Sequence, residues 1–237
     1  MTHNPAMPHG TLREVFPDVF FVMGTMRNEF FGAMWQFSRN MTVVRQDGGL
    51  TLFNAVRLDD AGLAALEALG EVRNVVQIGA LHGHDDRFYV DRYGATMWAV
   101  KGMPQEDGLT VDRWLEAGGE LPVRGAKLFL FEETKLPEAI IVLDRDGGIA
   151  IACDALQNWV EPDEFMDDAT AERMKGFGFF TPANLGPVWV QTNEPRPGDF
   201  ERLKGIPFQH ALCGHGVPLV SGADSAFHAT FERFLGA

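Results

Sequence analysis

Hydrophobic and polar positions along the chain fall into short β-type runs broken by Gly- and Asp-containing turns, with helical spacing between some of them. Val19-Phe20-Phe21-Val22-Met23 reads as a buried strand, far shorter than the roughly 20 apolar residues a membrane-spanning helix needs. Residues 40–45 and 50–56 are β-rich and flank Gln46-Asp47-Gly48-Gly49. Asp-Gly tolerates positive φ, so the two runs are predicted to pair as a hairpin. Leu63, Leu66 and Leu69 then recur at helical spacing, with Asp59 or Asp60 available as N-cap and Gly70 closing the segment, which predicts a short helix over 61–69. The β-rich run 72–78 delivers the chain into the polar cluster Leu81-His82-Gly83-His84-Asp85-Asp86-Arg87.

The second half repeats this plan. Residues 127–131, 138–143 and 148–153 read as strands, with Asp144-Arg145-Asp146-Gly147-Gly148 as another hairpin turn and Asp154 at the end of the last strand. A helical stretch at 163–175, a Pro/Gly-broken segment at 176–198 and a short helix at 199–204 follow. An apolar approach leads to Cys213-Gly214-His215-Gly216, and a helix at 223–235 closes the chain. Two β-rich halves, each with helices, predict two sheets packed face to face with helices outside. Residues 1–12 read as a flexible tail with no secretory signal.

Composition narrows the class. A length of 237 residues with 46% hydrophobic and 22% charged residues supports a full core, read here as one domain over 1–237. A formal net charge of -13, with no Lys/Arg run, disfavours nucleic acid and anionic membranes as partners. Two cysteines, Cys153 and Cys213, form no disulfide framework; both lie in apolar runs and read as core, and a cytoplasmic location is expected. Phe30 to Phe37 reads as core or an oligomer contact, which leaves a homo-oligomer open, and Phe177, Phe179 and Phe180 in their glycine-broken setting suit a flap.

His82 and His84, two residues apart in a loop, point two imidazoles the same way, and neutral imidazole is a common ligand of zinc-like metals. Asp86 adds a third donor, while Asp154 and His215 stand at the ends of later strands. Read separately, the histidines could be ordinary loop residues, Asp154 a turn cap, and His215 incidental to its two glycines. Together, His82-Gly83-His84-Asp85-Asp86-Arg87 resembles the HxHxDH motif of the metallo-β-lactamase superfamily. The strand ending in Asp154 resembles the one carrying that family's bridging Asp, and Gly214-His215-Gly216 the segment of its last His. The resemblance implies an α+β fold, a four-layer αββα sandwich, with a site at one edge of both sheets. One metal would be held by His82, His84 and Asp154, a second by Asp86, Asp154 and His215.

Two departures change what the resemblance implies. Arg87 stands where the motif ends in His, and Arg is not a metal ligand. Lys135, in Thr134-Lys135-Leu136-Pro137-Glu138, falls nearest another family His. Each metal site has lost one ligand. Arg87 and Lys135 are therefore expected as cationic replacements that neutralise carboxylates, leaving at most one divalent metal (zinc, or iron or manganese) or none if the site is degenerate. His210 is the spare second-shell donor, and Asp85 and Asp91 are surface or supporting residues. The implied activity is hydrolysis of a small ester, thioester, amide or phosphodiester, with Asp86 as base or water-orienting group. The alternative is an inactive descendant that binds a small anion through Arg87 and Lys135, or acts as an interaction module.

Overall fold

The computed structural model describes residues 3–106 and 108–236. The larger sheet has seven strands in chain order: β1 (Arg13–Phe16), β2 (Val19–Phe30), β3 (Ala33–Gln46), β4 (Gly49–Phe53), β5 (Glu71–Gln77), β6 (Thr96–Val100) and β7 (Arg113–Leu115). Strands β1 to β4 pair antiparallel, and β4 to β7 are joined by parallel pairings. The Asp-Gly turn forms as its residues dictate. Asp47 and Gly48 both take positive φ, and Gln46 pairs with Gly49 across it.

Parallel strands need crossovers. The predicted helix, α1 (Asp60–Leu69), makes the one from β4 to β5, and the Asp59 side chain caps it by accepting from the Gly62 N–H. The next crossover is α2 (Asp86–Tyr93), which takes the end of the polar cluster into a helix and buries Asp86, Phe88 and Tyr89. Its apolar residues are too few for the periodicity to announce it.

The smaller sheet runs in the order β13 (His210–Leu212), β10 (Ile149–Ile151), β9 (Ala139–Leu143), β8 (Ala126–Leu130). Its central strand is apolar on both faces, and the two faces go to different cores. Ala139, Ile141 and Leu143 join the larger sheet's Val43, Leu52 and Val75, whereas Ile140 and Val142 meet the helices α5 (Pro197–Leu203) and α6 (Ala223–Leu235) through Phe200, Leu203, Phe227 and Phe231. A period of two thus fixes which layer each side chain enters. Burying one such Phe or Leu contributes roughly 1.5–3 kcal/mol. With α1 and α2 on the larger sheet, the layers are α, β, β, α.

A two-stranded ribbon, β11 (Leu156–Gln157) with β12 (Asn184–Leu185), and the helices α3 (Asp168–Gly176) and α4 (Pro187–Asn193) complete the chain. Helix α4 lies in the segment whose Pro and Gly content suggested only breaks; Pro187 sits in its first turn, where a missing N–H is harmless. Residues 3–12 are not the loose tail expected. The Thr25 N–H donates to Pro8 O and the Gly10 N–H to Met23 O, both at about 2.8–2.9 Å, and the Asp59 N–H donates to His9 Nε2. Residues 1 and 2 of that expected tail lie outside the described residues. No helix among the described residues is long and apolar enough to cross a membrane.

Candidate metal centre and cleft

Three strand ends build the site. After β5 the chain passes Gly79, where a Cβ would lie 2.3 Å from Cys153 Sγ, so only glycine lets the two segments close on each other. It then turns at His82, whose N–H donates to Gly79 O and whose carbonyl accepts from Gln77 Nε2. Strand β10 runs on to Cys153 and Asp154. Strand β13 runs on to Gly214, packed on the Cys153 backbone, and to His215. Gly216 holds φ at 81°, and a Cβ there would lie 2.2 Å from the Asn158 carbonyl.

These ends bring His82, Asp154 and His215 together. His82 Nε2 lies 3.1 Å from His215 Nε2 and 3.4 Å from Asp154 Oδ2, and His215 Nε2 lies 3.0 Å from Asp154 Oδ1. His215 Nδ1 is 2.9 Å from the Ser38 carbonyl oxygen. A carbonyl can only accept, so Nδ1 carries the proton and a neutral His215 presents a bare lone pair at Nε2. The ring is held flat by Trp159, stacked at 4.6 Å, whose Nε1–H donates to Ser38 Oγ. Ser38 Oγ–H in turn donates to Asp163 Oδ2.

Burial lowers the pKa of His82, more than the adjacent Asp154 raises it, so His82 is neutral at ordinary pH. Asp154 is buried too, which raises its pKa, but the two imidazoles beside it, when a proton is shared among the three groups, outweigh this and hold it below the usual carboxylate range. With a cation in place of that proton, His82 Nε2, His215 Nε2 and the Asp154 carboxylate would all aim lone pairs at one point. Ligands about 2.0–2.1 Å from a tetrahedral zinc stand roughly 3.3 Å apart, close to the 3.0–3.4 Å separations seen. The donor set fits one such ion with a fourth position open.

The other expected site residues lie elsewhere. His84 borders the cleft from the same loop but is exposed. Asp86 is fully buried at the start of α2 and does not line the cleft. Both its oxygens lack a hydrogen bond of good geometry, and burial, with Asp85 next, raises its pKa to about 7. Its Oδ2 lies just behind Gly83, 3.3 Å from where a Cβ on that lining residue would stand.

Neither expected cation enters the cleft. Lys135 is more than half exposed and bound to Glu194 at 2.6 Å; Arg87 faces Asp91, one helical turn on, and the loop at Gly108. His210 stands at the far end of β13, between Asp146 O and the Ser221 N–H, and supports no ligand. Sequence reasoning missed two buried groups. Arg39, in the middle of β3, is 6% exposed and paired with Asp85, which also accepts from the Arg57 N–H at 2.7 Å. Glu138, rather than Lys135, is the residue of the 134–138 turn that reaches the site. It accepts from the Ala155 N–H at 2.5 Å, and burial, then Asp154, pushes its pKa well up. A charged residue opening an apolar run was its only signal. Cys153 also stands behind the cluster, with His82, Cys153 and Asp154 offering ligand atoms within 4.8 Å of one another. Burial, then Asp154, raises its pKa, so it remains a thiol.

The cluster opens into a cleft of about 540 Å³. Its aromatic lining is one packed group: Phe30, Phe31, Trp35 and Phe37 from the far end of the β2–β3 hairpin, with Trp159 and Phe179, Phe37 meeting Trp159 edge to face at 6.3 Å. The aromatic run 30–37, expected as core or an oligomer contact, joins a small core, with Trp35 buried among Trp159, Met174 and Phe179, and also lines the cleft. Phe31 caps the hairpin tip at positive φ and is 72% exposed.

The αββα layers, with donors gathered at one edge of both sheets, define a metallo-β-lactamase fold. Comparison with solved structures agrees. VMB-1 superposes with a TM-score of 0.65 at 11% identity, over 94% of this chain and 97% of that one. DIM-1 metallo-β-lactamase exposed to ceftazidime gives 0.62 at 12% identity, over 97% and 98%. The metallo-β-lactamase from Hirschia baltica gives 0.57 at 14% identity, over 93% and 96%. No family model and no curated protein matches the sequence.

Proposed function

We propose that the chain is a metallo-hydrolase-like protein that holds one divalent ion, of the zinc class, between His82, Asp154 and His215, and hydrolyses a small carbonyl or phosphodiester substrate in the adjoining cleft. The observation that carries this reading is the meeting of three lone-pair-bearing side chains, two imidazole Nε2 atoms and the two oxygens of one carboxylate, at 3.0–3.4 Å. Such a set is stable only around a cation or a shared proton. A bound divalent ion supplies Lewis acidity to a substrate oxygen and to a water. The chain's own residues do the rest. Ser38 fixes the His215 tautomer, Trp159 holds its ring, and the aromatic walls limit water around the reacting bond.

The rival anion-binding reading placed Arg87 and Lys135 in the site, and their contacts with Asp91 and Glu194 leave it with less support. Metal analysis of protein purified without chelator tests the proposal. One equivalent of a zinc-class ion is expected, with a rise in melting temperature on reloading that His215→Ala abolishes. Two equivalents, or none with no thermal shift, would overturn it.

A further inference from the structure

Charge and shape in the cleft narrow the ligand class. Among the described residues, no Lys or Arg lines it, while Glu106 and Asp154 do. Its aromatic lining is a contiguous surface made by the β2–β3 hairpin together with Trp159 and Phe179. Arg27, Arg39 and Arg57 line a second cavity of about 370 Å³, which shares only Met26 and His84 with the cleft. Two of these cations are engaged there: Arg39 with Asp85, and Arg57 over the Phe88 ring at 3.2 Å. An anionic group placed in the cleft would meet two carboxylates and no fixed cation, in a setting too apolar to screen the repulsion. A flat apolar body would instead displace water from aromatic faces.

We infer that the cleft takes an uncharged, aromatic or similarly lipophilic ester or lactone, its carbonyl toward His82, Asp154 and His215 and its apolar body against the aromatic surface of the hairpin and Trp159. The inference rests on the hydrolase reading for the identity of the reacting bond, but not for the binding preference. In turnover, water adds to the carbonyl carbon, the C–O bond to the leaving oxygen breaks, a proton passes to that oxygen, and the product acid ionises.

Matched ligands test the preference: methyl 2-naphthoate and 2-naphthoate, titrated by calorimetry at pH 8 into the full chain with metal removed. The ester is expected to bind at least tenfold tighter than the anion. Phe31→Ser, at the exposed hairpin tip, should weaken the ester several-fold with no change in melting temperature. Thr192→Lys, at an exposed lining position, should strengthen the anion at least fivefold. Equal or tighter binding of the anion by the unaltered protein, or no binding of either ligand, would overturn the inference. The hydrolase reading fails separately: the ester then binds, yet the metal-loaded protein releases no naphthoate from it.

Discussion

Replacing Asp86 with Asn probes whether this aspartate is a buried neutral acid or a metal ligand. Burial raises its pKa from 3.8 to about 7, so the folded state keeps a proton that the unfolded chain releases between those values. Below pH 3.8 both states are protonated and nothing is lost. As pH rises toward 7, stability falls by about 1.4 kcal/mol per pH unit; above about 7 the loss is complete, at about 4 kcal/mol. Asn cannot ionise and escapes this loss. Urea denaturation of metal-free wild type and Asp86→Asn should therefore show the variant gaining about 2–3 kcal/mol relative to wild type between pH 5 and pH 8. The amide's own hydrogen bonding shifts the whole curve and leaves that slope intact. A flat or falling difference, or loss of the bound metal in the variant, would refute the reasoning and make Asp86 an ionised ligand.

Three further outcomes follow from the same geometry. Gly216→Ala places a Cβ 2.2 Å from the Asn158 carbonyl at a φ of 81°; it should lose about 3 kcal/mol or more in urea melts and release the metal by displacing His215. Glu138→Gln should be nearly neutral, because the Glu is protonated and the amide oxygen can still accept from the Ala155 N–H. Glu138→Ala should cost about 1–3 kcal/mol by orphaning that buried donor, and equal losses in both would show the carboxyl to be ionised. Asp163→Ala leaves the hydroxyl of Ser38 without its acceptor and the indole N–H of Trp159 with Ser38 Oγ alone; metal affinity should fall about 10-fold, and unchanged affinity would exclude a positioning role.

What the sequence by itself determined was local. The Asp47-Gly48 and Asp146-Gly147 turns, the β-rich runs around them, helix α1 with its Asp59 cap and the closing helix α6 all follow from short-range backbone preference and periodicity. Such signals need no knowledge of the rest of the chain. The convergence of His82, Asp154 and His215 was legible only through resemblance, since no local rule brings residues 133 positions apart within 3.1 Å. Tertiary structure decided the remainder. It sent Asp86 into a helix start beneath the site, turned Lys135 outward to Glu194 and brought Glu138 in, because β9 is buried on both faces and pairs at Gly79 through the residue that precedes it. It also buried Arg39 against Asp85, a pairing across 46 residues that neither segment announces. The aromatic hairpin tip lines the cleft for the same reason: β2 and β3 outrun their neighbours, and the overhang packs on α3 beside the site.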